Sequence, residues 1–182
     1  DLILARARVC ELQADRAAQA RDLADLDILA RDLDDDRKRA EIALCWADYG
    51  ESTGDFSASR ASAQEAVRLA QAAGDATLEA MGYRQWGRAH WRQAEHDAAK
   101  PLLQTALEQA RDAGLTAVEA ETVHDLGLIA VHQGADATAY LERALALFTA
   151  LADRRGEGRA RNSLGLALRT AGDYDRALVF HE

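Results

Sequence analysis

The feature that most constrains this chain is a spacing. Residues 160–177 read ARNSLGLALRTAGDYDRA, and the pattern within them recurs toward the N-terminus. The turn at Gly172 is matched by Gly134, Ala94, Gly54 and Ala14, in steps of 38, 40, 40 and 40 residues. Ahead of the turn a large residue precedes a small one: Leu164-Gly165, Leu126-Gly127, Trp86-Gly87 and Trp46-Ala47. After the turn, the small Ala177 is echoed by Ala66, Ala106 and Ala144, each followed by Val67, Leu107 or Leu145. Small residues let two helix backbones approach, and the large ones fill the space around the crossing. A Gly-Asp pair ends one helix and caps the next. Acidic or Gly-rich connectors close each unit: Asp34-Asp35-Asp36, Gly74-Asp75, Gly114, and Asp153 to Gly158. A chain built from one repeated helix pair buries its apolar faces only by stacking neighbours.

The large-small pair in the first helix, the Gly-Asp turn, and the aromatic and small Ala of the second helix resemble the tetratricopeptide repeat. The period exceeds the roughly 34 residues usual for that family. It is similar to a longer form found in bacterial regulators and in peptide-binding proteins of polarity and motor complexes. The resemblance implies an all-α fold, a right-handed superhelical α-solenoid of stacked antiparallel helix pairs. It implies one domain over 1–182, with a partial repeat 1–36, repeats 37–75, 76–115 and 116–153, and a partial repeat 154–182. The third turn reads two residues short. Gly156-Glu157-Gly158 belongs to a connector, and Pro101 lies near the start of a helix B.

Composition narrows the function classes. Apolar residues make up 48 % but aromatics only 5 %, as Ala-rich, closely apposed helices require. A net charge of −9 argues against general nucleic-acid binding, which needs a basic surface. No apolar run approaches the roughly 20 residues of a membrane span, and no signal peptide is visible. Cys10 and Cys45 lack metal-ligand spacing and read as reduced cysteines of a cytoplasmic protein. The abrupt ends suggest a piece of a longer protein.

Within this acidic chain, Met81–Gln93 reads MGYRQWGRAHWRQ and contains no carboxylate. Arg84, Arg88 and Arg92 recur every fourth residue, on one side of a helix, with Trp91 beside them. Tyr83, Trp86 and His90 fall on another arc, at packing positions. In the family, first helices line a concave surface. The resemblance places Arg84, Arg88, Trp91 and Arg92 of the second repeat there. His124, Leu128 and Val131 follow from the third, and Arg159, Asn162, Leu166 and Arg169 from the fourth. Glu41, Leu44, Asp48 and Glu51 come from the first repeat. Arginine forks grip carboxylates in bidentate fashion, and Asn162 offers an amide donor and acceptor to a peptide backbone. The expected partner is a protein or peptide of acidic character. The competing reading pairs these arginines with acidic residues of neighbouring helices, such as Glu119 or Glu121. A chaperone-tail carboxylate clamp is not expected, because Arg88, Asp125 and Ser163 depart from its residues.

No catalytic constellation is present, and no cofactor or metal is implied. The histidines have no HExxH arrangement. The aspartates between Asp22 and Asp36 lack the alternating ligands of a calcium loop and read as a solvated face. The expected function is a non-enzymatic protein-interaction scaffold. The alternative is a ligand- or peptide-sensing module of a larger bacterial signalling or transcriptional regulator. Leu178, Val179 and Phe180 at the last helix leave room for a homodimer through terminal helices.

Overall fold

The computed structural model describes residues 5, 6, 9, 15–32 and 34–180. The expected first helix over 1–13, with Leu2, Leu4 and Ala7, lies outside the described residues or only touches them. So do Cys10, Ala14 and Leu33.

Among the described residues all regular structure is helical, in the order α1 (Arg16–Asp32), α2 (Asp36–Thr53), α3 (Phe56–Ala73), α4 (Ala76–Arg92), α5 (His96–Asp112), α6 (Thr116–His132), α7 (Thr138–Ala150), α8 (Arg154–Thr170) and α9 (Tyr174–Val179). The chain forms two compact units, Asp1–Glu95 and His96–Glu182. Short connections inside each unit make sequential helices antiparallel neighbours. No helix among the described residues is long and apolar enough to cross a membrane.

The repeat is visible in the backbone itself. Left-handed conformation occurs at Asp34, Gly54, Gly74, Ala94, Gly114, Gly134, Ala152 and Gly172. These positions follow one another every 20 residues, with a single step of 18. One helix with its left-handed terminator is therefore the unit, and two make the period of 40. The aspartates that follow act as caps. Asp55 accepts from the Ala58 N–H at 2.9 Å, Asp75 from the Thr77 and Leu78 N–H groups at 3.0 Å, and Asp153 from the Gly156 N–H at 2.9 Å. Each satisfies a donor that the first helical turn leaves open.

Several expectations need correction. The missing residues of the third repeat come out of the start of its second helix. Residues 133–137 join α6 to α7, where residues 54–55 join α2 to α3. The connection is longer, and α7 is the shorter helix. Gly156 and Gly158 lie within α8, because Ala152 and Asp153 already complete the connector. Pro101 lies in the second turn of α5, near the start of that helix as expected. The left-handed residues also align Ala177 with Ser59 and Ala99, not with Ala66 and Ala106. All of these are buried, so both sets pack, one or more turns apart along the second helices.

The core of the first unit joins Ala40, Ala43 and Leu44 of α2, Ala66, Leu69 and Ala70 of α3, and Leu78 of α4. That of the second unit joins Ala130, Ala137, Leu141, Leu164, Ala167, Leu168 and Ala177. Leu126 and Leu164 are buried at the large helix-A position, whereas the bulkier Trp46 and Trp86 reach half-exposed surroundings. Leu44, expected on the concave face, is a core residue at 5 % exposure. Asp22, expected on a solvated face, is buried and ion-paired with Arg6.

Candidate functional site

In the first unit the candidate residues lie on α4, which packs against both α3 and α2. The contact with α2 is polar. Gln85 donates to Asp48, and Arg88 forms an ion pair with Glu51. The arginine stripe on α4 is thus compensated in part by a carboxylate one repeat earlier, Glu51, which holds Arg88. Arg84 is half-buried. Trp91 is half-buried too, and Arg92, in the last turn, is exposed. The Arg92 guanidinium lies 5.1 Å from the centre of the Phe56 ring and 5.9 Å from that of Trp91. It has no carboxylate partner among the described residues. Stacking on two rings holds a guanidinium in place while its N–H edge stays open to an acceptor.

The other arc of α4 forms its own network. Tyr83 and Trp86 stack with ring centres 6.2 Å apart. The Trp86 indole N–H donates to His90 Nε2 at 3.0 Å, and His90 Nδ1 lies 2.5 Å from a Glu95 carboxylate oxygen. Because Nε2 accepts, the proton of neutral His90 sits on Nδ1 and is given to Glu95.

In the second unit the candidates lie on α6 and α8. His124, at 4 % exposure, bonds through Nε2 to the Ser163 hydroxyl at 3.0 Å, and Ser163 donates to the Arg159 carbonyl at 3.0 Å. Arg159 grips Glu121 in bidentate fashion at 2.5 and 3.1 Å, and its guanidinium lies 5.4 Å from the centre of the Phe148 ring. The Glu121 bonds hold its pKa above the ordinary value. Asn162 and Arg169 are exposed, without a hydrogen-bond or ionic partner among the described residues. Their spacing, with that of Arg159 and Leu166, places them on one side of α8.

The structure brings Arg84, Arg88, Trp91 and Arg92 together on α4, and Arg159, Asn162 and Arg169 together on α8. It buries His124. Glu119 also takes the place foreseen for an internal partner, but for Arg111 and Arg143, each at 3.2 Å. Sequence reasoning missed the ring partners Phe56 and Phe148. Phe56 was legible as a packing residue after the Gly54-Asp55 turn, but no spacing pointed it at an arginine on another helix.

The tetratricopeptide repeat family model matches residues 118–182. That segment is tetratricopeptide repeat sequence. The rest of the chain shares the fold. The crystal structure of BtubC (BKLC) from P. vanneervenii superposes with a TM-score of 0.81 at 17 % identity, over 98 % of this chain and 75 % of that one. The apo form of RapI superposes with a TM-score of 0.82 at 12 % identity, over 98 % of this chain and 66 % of that one. At such identities the likeness is one of fold: an all-α tetratricopeptide-like array of helix pairs. No curated protein sequence matches the chain. Arrays of this kind expose extended surfaces suited to protein partners.

Proposed function

We propose that this chain is a non-enzymatic interaction scaffold that binds an acidic peptide or protein segment along its first-helix faces. The observation that carries the reading is Arg92. It is exposed, stacked on Phe56 and Trp91, and has no carboxylate partner among the described residues. Arg84, Arg88 and Trp91 line the same stretch of α4. Asn162 and Arg169 on α8 present a second open polar stretch, flanked by the Arg159–Glu121 pair.

The test is selection from a random peptide library, followed by fluorescence anisotropy. Selected peptides should be enriched in Asp and Glu. They should lose about tenfold or more in affinity to an Arg92→Glu variant of unchanged helicity. Selected peptides of neutral or basic character, or equal affinity for both proteins, would overturn the reading.

A second reading, a sensing module of a larger bacterial regulator, is favoured by a separate observation. The first unit holds a cavity of about 280 Å³ beside Trp46. Location in the cytoplasm fits either reading.

A further inference from the structure

The cavity beside Trp46 lies between α1, α2 and α3. It is walled by Ala43, Trp46 and Leu69, with Arg31, Arg39, Asp27, Ser62 and Glu65 among its polar lining. The repeat register explains why it is there. Counting 40 residues on, Ala43 corresponds to Tyr83 and Trp46 to Trp86. In the later repeat the Tyr83 ring stacks on Trp86, with ring planes 11° apart. Gln71, from the preceding helix, donates to the Tyr83 hydroxyl at 3.4 Å and to Glu79 at 3.0 Å. In the earlier repeat Ala43 supplies no ring, and the space beside Trp46 is open. Trp46 instead meets Tyr49 edge-on, with ring centres 5.5 Å apart.

The same register describes what would fill the space. Gln71 and Glu79, which surround the polar end of Tyr83, correspond to Arg31 and Arg39. A ring in the cavity would therefore have two guanidinium groups near its polar end. Among the described residues their ion pairs are with carboxylates of their own helices, Arg31 with Asp27 at 3.4 Å and Arg39 with Asp36 at 2.7 Å, and Arg39 also lies near enough to Glu65 of α3 to stabilise that carboxylate. Such pairs are weak at the surface and exchange readily for a better acceptor. The wall carboxylate of Glu65 is held in bidentate fashion by Arg68, at 2.6 and 2.8 Å. A volume of about 280 Å³ suits a single substituted ring and is at the small end of ligand pockets, which start near about 300 Å³.

We propose that this cavity binds a small aromatic carboxylate, with its ring against Trp46 and its carboxylate between Arg31 and Arg39. The site gives the sensing reading a ligand class without depending on it, since binding is measured whether or not an effector responds. It is also independent of the acidic-peptide reading, because no α4 residue lines the cavity.

The test is titration of the whole chain with 4-hydroxyphenylacetate, read from the Trp46 indole N–H resonance, which is assigned by its loss in Trp46→Phe. A saturable shift is expected, with a dissociation constant on the order of 1 mM for so small a ligand. Ala43→Tyr fills the cavity with the side chain used one repeat later and should abolish the shift. Arg31→Gln with Arg39→Gln should weaken binding about tenfold with the ring wall intact. Tyramine, with a cation in place of the carboxylate, should not bind. No saturable shift in the wild type would overturn the proposal. So would unchanged binding in a folded Ala43→Tyr variant or in the double arginine variant, or tyramine binding as tightly as the acid.

Discussion

Gly50→Ala destabilises the first unit although Ala is the better helix former. Gly50 lies on α2 against the start of α3. A Cβ there would sit 2.7 Å from the Ser59 N, 2.9 Å from the Asp55 O and 3.0 Å from the Ser59 Cα. All three are backbone atoms, so no rotamer change relieves the contact and the two helices must separate. Overpacking of this kind costs about 1–3 kcal/mol. A rigid obstacle places it at the upper end, and the helix-propensity gain of roughly 1 kcal/mol offsets part of it. The expected net loss is about 1–2 kcal/mol. Gly158 is the control. It also lies within a helix, but a Cβ there would have nothing within 4 Å, so Gly158→Ala gains about 0.5–1 kcal/mol. Urea unfolding followed by circular dichroism at 222 nm measures both. A Gly50→Ala protein stabilised as much as Gly158→Ala would refute the close-approach reasoning.

Three further perturbations follow from the same geometry. Ala94 is held at φ 60° with an ordinary side chain. Ala94→Gly relieves roughly 1–2 kcal/mol of left-handed strain against about 0.5–1 kcal/mol of added chain entropy, so the thermal midpoint should rise. Asp75 has its pKa held below the ordinary 3.8, first by its bond with Arg37 and then by the Leu78 N–H. Its contribution is complete above that ordinary value and is lost as pH falls through the lowered one. The stability gap between wild type and Asp75→Asn, followed by urea unfolding across pH, should therefore close below the carboxylate range and stay constant near neutrality. A double-mutant cycle on Arg159 and Glu121 should give a coupling of about 0.5–1 kcal/mol that shrinks in 1 M salt.

The periodic terminators were legible because a left-handed helix end asks for a specific residue. Gly54, Gly134 and Gly172 stand where that conformation occurs, and Asp55 and Asp173 follow as caps. Ala94 was legible only by its place in the period, since nothing about alanine signals a positive φ. Burial at Leu126 and Leu164 also followed from the repeat. The fate of the arginines did not. Whether Arg88 and Arg159 face a partner or a neighbour depends on which carboxylate stands one repeat earlier, and that role falls to Glu51 and Glu121. His124 shares a register position with Leu44, Arg84 and Asn162; like the apolar Leu44 it is buried, and there the Ser163 hydroxyl on α8 gives its ring a polar partner. Such pairings depend on side chains from two helices at once, so the spacing along either helix is silent about them. The cavity was hidden for a related reason. Ala43 is unremarkable alone and becomes informative only when set against Tyr83.

The central claim, that the open face of α4 receives acidic ligand groups, is tested most directly by arginine Nε–H spectroscopy. A selected acidic peptide would be titrated into protein carrying nitrogen-15 arginine, with resonances assigned by substitution. The account predicts saturable shifts at Arg92 and its neighbours Arg84 and Arg88, and loss of binding in Arg92→Glu. Saturation with these three resonances unmoved would contradict it.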